Sequence, residues 1–79
     1  MTTAMEGLLA EVRRARELTT GPTAREIRRA AGLTQERLAA ALGVDRTTLA
    51  RWEAGTSRPR PAELATWVDL LDALRQEVA

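Results

Sequence analysis

The chain has 79 residues and a formal net charge of +1, and it contains no cysteine and no histidine. These absences exclude disulfides and the usual zinc ligands, and with lysine and tyrosine also missing they remove most general bases and nucleophiles of enzymes. A chain of this length has room for one small core. No apolar stretch reaches the ~18 residues that a membrane helix needs. We therefore expect a cytoplasmic protein that is not an enzyme and binds no cofactor, metal or membrane.

The charge is distributed unevenly along the chain. Residues 1 to 22 are neutral overall, residues 23 to 60 carry eight arginines against four acidic residues (+4), and residues 61 to 79 carry one arginine against four (−3). A concentration of positive charge is what a polyanion-binding surface requires. The central segment is therefore predicted to face nucleic acid, and the acidic end to face away from it.

The first 22 residues are predicted to form a helix that reaches about residue 19, followed by a linker at Gly21 and Pro22. The rest of the chain, residues 23 to 79, is predicted to be the main domain. Three roles fit the N-terminal helix: it covers the domain, it builds a dimer interface, or it is an arm that orders on DNA. We favour packing against the domain, with a share in an interface with a second copy through Leu8 and Val12. Its apolar residues lie on one broad side: Met5, Leu8, Leu9, Val12 and Leu18.

The next helix is predicted over residues 23 to 31. Thr23 and Glu26 have the spacing of a capping box, in which each side chain bonds the backbone of the other. Ile27 and Ala31 lie one turn apart, and together with Leu33 they are expected to close the core.

Two short helices joined by a tight turn are predicted between residues 34 and 55. Thr34 and Asp45 are good N-caps, because their side-chain oxygens can accept unpaired amides of the first turn. Gly43 and Gly55 are predicted to end the helices in the left-handed conformation that glycine adopts without a steric penalty. Leu38, Ala39 and Leu42 form the apolar face of the first of these helices.

The second helix of this pair has two different sides. Leu49 and Trp52 are predicted to pack inward. The outer side carries two arginines, which can bond guanine bidentately, a threonine, which can touch a base edge, and a small alanine, which lets the helix approach closely. The predicted base-reading residues are therefore Arg46, Thr47, Ala50 and Arg51.

Several of these positions together resemble the lambda-repressor-like (XRE/Cro) helix-turn-helix family. The resemblance covers roughly residues 23 to 74 and rests on Gln35, Ala39, Gly43, Leu49 and the run from Trp52 to Gly55. It implies an all-α bundle of about four helices, to which the N-terminal helix is added, with the second motif helix in the major groove of double-stranded DNA. It also implies a set of phosphate contacts at the start of the first motif helix and in the loop after the second: Thr34, Gln35, Thr56, Arg58 and Arg60.

A long C-terminal helix is predicted from about Pro61 to Gln76. Its apolar residues follow one another at steps of three and four: Leu64, Trp67, Leu71, Leu74 and Val78. The first part is expected to pack in the core. Leu71, Leu74 and Val78 either belong to the same core or form an interface with a partner, with a second copy of the chain as the candidate. Trp52 and Trp67 are interpreted as core residues, and Glu53 as the partner of a nearby arginine.

These features together predict a sequence-specific transcriptional regulator that represses by occluding a promoter. By resemblance to the family, it binds a palindromic operator as a homodimer. A phage-type repressor or Cro-like protein and an antitoxin that represses its own operon and also binds a protein partner fit the sequence equally. The rival hypothesis is a helical protein-interaction module that does not bind DNA and whose arginines only face solvent.

Overall fold

The computed structural model describes residues 3–20 and 22–79, which form five α-helices and, within those ranges, no strand. The predicted all-α fold, with an N-terminal helix added to a four-helix bundle, is confirmed. The predicted linker residue Gly21 lies outside the described residues. In chain order the helices are α1 (Thr3–Thr19), α2 (Thr23–Ala30), α3 (Gln35–Leu42), α4 (Arg46–Ala54) and α5 (Pro61–Val78).

Both predicted caps of the helix pair are confirmed. The Thr34 hydroxyl accepts a hydrogen bond from the backbone amide of Arg37 at 3.1 Å, and the Asp45 carboxylate accepts one from the amide of Thr48 at 2.7 Å. The backbone and side-chain hydrogen bonds from Thr48 hold the pKa of the Asp45 carboxyl below its usual value. Each cap satisfies an amide that the helix itself leaves without a partner.

The turn between α3 and α4 depends on Gly43. Its φ is +75°, in the left-handed region, and the amide of the next residue, Val44, donates to the carbonyl of Ala39 at 3.0 Å. The chain therefore reverses within a few residues, which fixes α4 across α3. Gly55 ends α4 in the same conformation, with φ of +77°, so both predicted glycine stops are confirmed.

The start of α2 differs from the prediction. Thr23 is already a helical residue, the capping position is Pro22, and no side-chain cap bond is present there. Pro22 has helical dihedrals (φ −80°, ψ −2°), and its carbonyl accepts the amide of Glu26 at 2.9 Å. The helix thus begins one residue earlier than the capping box requires, and the predicted pairing of Thr23 with Glu26 is wrong.

One apolar core joins all five helices. The predicted inward packing of Leu49 and Trp52 is confirmed, with exposures of 0% and 4%, and Trp67 is likewise buried. The two indole rings contact each other at a tilt of 43°, with their centroids 5.3 Å apart. The core consists of Leu18, Ala24, Ile27, Leu38, Ala39, Leu49, Trp52, Trp67, Val68 and Leu71.

The C-terminal helix packs most of its apolar stripe in the core. Leu71 is completely buried within the chain, so the core alternative is confirmed for this residue and the dimer-interface alternative is wrong. Leu74 is partly buried against the same core, while Val78 is exposed. The stripe is therefore mainly a core face, because α1 and α2 both cover α5 along that side. None of the described helices is both long and apolar enough to cross a membrane.

The N-terminal helix has two parts with different surroundings. Its C-terminal part is attached to the body of the protein, with Leu18 in the core and ion pairs from Arg14 and Glu17 to α5. By contrast, every residue from Thr3 to Arg13 is exposed. The prediction that α1 packs against the domain is correct only for the end of the helix.

Candidate nucleic-acid interface

The outer side of α4 carries the four residues predicted to read bases. Arg46, Thr47 and Arg51 are exposed, and Ala50 is partly buried between them. Leu49 and Trp52 anchor the opposite side of the helix in the core. Because α4 is capped at both ends and packed along its back, this outer side has a fixed orientation.

Gln35, at the start of α3, connects this surface to the interior. Its amide nitrogen donates to the carboxylate of Glu53 at 3.1 Å, and its amide oxygen accepts from the guanidinium of Arg46 at 3.2 Å. The hydrogen bond to Glu53 fixes which end of the amide faces Arg46. The Gln35 amide therefore orients the side chain of Arg46, the first residue of α4.

Glu53 is the centre of a buried ionic network. Its side chain is fully inaccessible and receives two hydrogen bonds from Arg28, from Nε at 2.7 Å and from Nη2 at 3.0 Å. Burial raises the pKa of the Glu53 carboxyl, but the hydrogen bonds from Arg28 and Gln35 and the charges of Arg28 and Arg25 outweigh burial and hold the pKa below its usual value. The interpretation of Glu53 as the partner of an arginine is confirmed.

Sequence reasoning did not identify Arg28 as that partner. It counted Arg28 among the eight cations of the basic segment, but only 6% of the residue is exposed. Its remaining donor, Nη1, bonds the carbonyl of Leu33 at 2.9 Å. Arg28 thus ties α2 to α4 and to the loop before α3, and one of the eight positive charges is used inside the fold.

A basic cleft of about 450 Å³ lies where α2, α3 and α4 meet. It brings together Gln35 and Arg46, which the sequence analysis selected, with Arg25 and Arg29, which it did not. The signal that could have identified these two is their spacing of four residues, which places them on one face of α2. The lining residues are Arg25, Arg28, Arg29, Thr34, Gln35, Glu36 and Arg46.

The loop after α4 lies beside a different groove. Thr56, Arg58 and Arg60 are all exposed, as predicted for phosphate contacts. Arg58, however, lines a groove of about 690 Å³ together with residues of α1 and with Trp67, and it is not among the residues of the basic cleft. The structure therefore separates the predicted phosphate contacts into two places, with Thr34 and Gln35 in the cleft and Arg58 in the loop.

The cleft and the outer side of α4 offer hydrogen-bond donors and positive charge. Such donors suit phosphate oxygens and base edges. Within the part of the chain that the structure describes, no group of three or more acidic residues could hold a metal ion.

A comparison with protein families found that a helix-turn-helix family model (HTH_3) matches residues 25–75, which is well over half of the chain. Comparisons with curated proteins and with solved structures gave no significant match. The matched range includes the motif helices, their caps and the buried ionic network, while all of α1 lies before it. The chain belongs to the lambda-repressor-like (XRE/Cro) helix-turn-helix family of DNA-binding regulators.

Proposed function

We propose that the chain is a transcriptional repressor that binds a palindromic operator as a two-fold dimer and reads its bases through α4. The observation that carries this proposal is the outer side of α4, where Arg46 and Arg51 are exposed while Leu49 and Trp52 fix the helix from behind. A guanidinium in this position can donate two hydrogen bonds to the O6 and N7 atoms of guanine. Thr47 and Ala50 lie between the two arginines on the same surface.

The basic cleft supports the proposal because its groups can bind the phosphate backbone of DNA. Thr34 and Gln35 lie at the N-terminus of α3, where unpaired amides favour an anion, and Arg25 and Arg29 add positive charge from α2. We assign to this cleft one phosphate-binding region. Thr56, Arg58 and Arg60 would supply a second region from the loop after α4.

The decisive experiment selects binding sites from a random pool of duplexes. The wild-type protein is expected to enrich a palindrome, since a two-fold dimer reads two identical half-sites about 34 Å apart. Arg46→Ala and Arg51→Ala should each weaken the free energy of binding to the selected site by about 1–3 kcal/mol and relax the base preference at one base pair per half-site. If both variants select the same site as the wild type, the assignment of α4 as the reading helix is wrong.

Phosphate contacts are expected to behave differently from base contacts. Arg58→Ala should weaken binding to all sequences alike and reduce the slope of log affinity against log salt by about 0.9 for each phosphate lost. Arg75→Ala is the matched control, because it removes the same charge from a side chain that is ion-paired with Glu17 and Asp72. A protein that shows no salt-dependent affinity for any duplex would instead fit the interaction-module hypothesis.

A further inference from the structure

The part of α1 that precedes the ion pairs of Arg14 with α5 is the least covered part of the fold. All eleven residues from Thr3 to Arg13 are exposed, although they form regular helix. Helices in proteins owe most of their stability to the packing of an apolar face, and a short helix in water is only marginally stable on its own. A surface that covers this part of α1 would therefore stabilise it.

An apolar stripe runs along this exposed part. The α1 stripe consists of Leu8, Leu9 and Val12, whose exposures are 61%, 43% and 44%. Their spacing of i, i+1 and i+4 places them on one face of the helix. Val12 also lines the groove beside Trp67, so the stripe continues from the exposed part of α1 onto the body of the protein.

Two opposite charges flank the α1 stripe on the same side. Glu6 and Arg13 are seven residues apart, which is close to two full turns, so they lie one above the other along the helix. Both are exposed, and within the described ranges neither makes a hydrogen bond or an ion pair. On this flank the helix is complementary to a copy of itself.

We propose that two copies of the chain associate through their α1 stripes, with the two helices antiparallel about a two-fold axis near Leu9. In an antiparallel pair the same flank of each helix meets, so Glu6 lies opposite Arg13 of the partner subunit, and this pair occurs twice. A parallel pair would bring together opposite flanks and would form neither contact. The antiparallel arrangement also puts the two bodies at opposite ends of the pair.

The size of the stripe sets the strength of this association. Three partly exposed side chains from each copy cover much less than the ~1,200–2,000 Å² that stable interfaces bury. The dimer is therefore weak in solution, and adjacent half-sites on DNA strengthen it by raising the effective concentration of one copy near the other. The inference deepens the proposed function by naming its dimer contact, but the contact itself does not require DNA.

Charge exchange in the full chain tests both the contact and its direction. Sedimentation equilibrium without DNA measures the dimer dissociation constant of the wild type, Glu6→Arg, Arg13→Glu and the double variant. Each single substitution puts like charges opposite each other twice and should raise the constant about tenfold. The double variant restores opposite charges in the antiparallel pair and should return to within about threefold of the wild type. Glu77→Arg, which makes the same charge change at an exposed residue of α5, should leave the constant unchanged.

Two further results complete the test. Replacing Leu8 and Leu9 together by serine should abolish association while leaving the fold intact, because both side chains are exposed. Since the chain has no cysteine, a mixture of Glu6→Cys and Arg13→Cys should form the mixed disulfide in preference to either symmetric one. A wild-type chain that is monomeric up to about 1 mM, or a double charge variant that associates no better than the single ones, would overturn the proposal. Neither outcome depends on whether α4 reads bases.

Discussion

Substituting Glu53 by glutamine removes one buried negative charge and leaves the volume of the side chain almost unchanged. In the wild type, Arg28 donates to both carboxylate oxygens, at 2.7 and 3.0 Å. A glutamine presents one oxygen and one NH₂ group to the same guanidinium, so one hydrogen bond loses the negative charge of its acceptor and the other becomes a contact between two donors. Arg28 then stays buried with its charge uncompensated.

The expected loss follows from these contacts. Breaking a buried ion pair by removing one partner costs about 3–5 kcal/mol, because the remaining charge is left without compensation. Arg28 keeps its bond to the carbonyl of Leu33, which places the expected loss at the lower end, about 3 kcal/mol. For a domain of this size that corresponds to a fall in Tm of roughly 12–24 °C.

Urea denaturation followed by circular dichroism measures this loss, provided that the m value stays constant. Glu77→Gln is the matched control, since it removes the same charge from an exposed residue and should change stability by less than about 0.5 kcal/mol. Adding Arg28→Met to Glu53→Gln removes the uncompensated charge and should recover part of the loss. A loss below about 1 kcal/mol for Glu53→Gln alone would refute the view that the buried pair organises the fold.

The other predictions concern pH, the turn and the core. The pKa of Glu53 is lower in the folded chain than its unfolded value of about 4.3. The stabilisation by Glu53 is therefore complete above that pH and is lost as the pH falls through the folded pKa. The difference in free energy of unfolding between wild type and Glu53→Gln should narrow as the pH falls from 7 to 3, and a constant difference would contradict this. Gly43→Ala should lower the free energy of unfolding by about 1–2 kcal/mol, because the φ of Gly43 is left-handed. Gly7→Ala lies in the regular helix α1 and should instead raise the helical content measured by circular dichroism. The same effect of both substitutions on stability would contradict the argument from backbone conformation. Leu71→Ala should lower the free energy of unfolding, measured by urea denaturation, by about 2–5 kcal/mol, because Leu71 is completely buried. Leu8→Ala should lower it by less than about 0.5 kcal/mol, because Leu8 is exposed. Comparable losses for the two variants would mean that Leu8 is buried.

Features set by neighbouring residues were predictable from the sequence. A cap such as Thr34 or Asp45 acts on an amide three residues later, and a glycine stop such as Gly43 acts on the turn that contains it. The same locality explains why the two sides of α4 were predicted correctly. Only the start of α2 failed among the local features, because Pro22 itself adopts helical dihedrals and displaces the cap.

Features that depend on distant parts of the chain were not predictable in the same way. Arg28 and Glu53 are 25 positions apart, so nothing in the local sequence of α2 identifies Glu53 as the partner of Arg28. The apolar stripe of α5 gives no indication of how far α1 and α2 cover it, so the sequence leaves Leu71 open between a partner and the core in which it lies. In each case the deciding contact is made by another helix.

The buried network also connects the stability of the fold to the proposed reading surface. Glu53 orients Gln35, and Gln35 holds Arg46, so the first arginine of α4 is tied to the core by two successive hydrogen bonds. The side chain of Arg51 makes no such bond within the described residues. Ordering a long side chain on binding costs about 0.5–1.5 kcal/mol, and for Arg46 part of that ordering is already complete in the free protein. In the proposed complex Arg46 therefore makes the more rigid contact, which tolerates fewer alternative bases, while Arg51 can adjust its position to the base it meets.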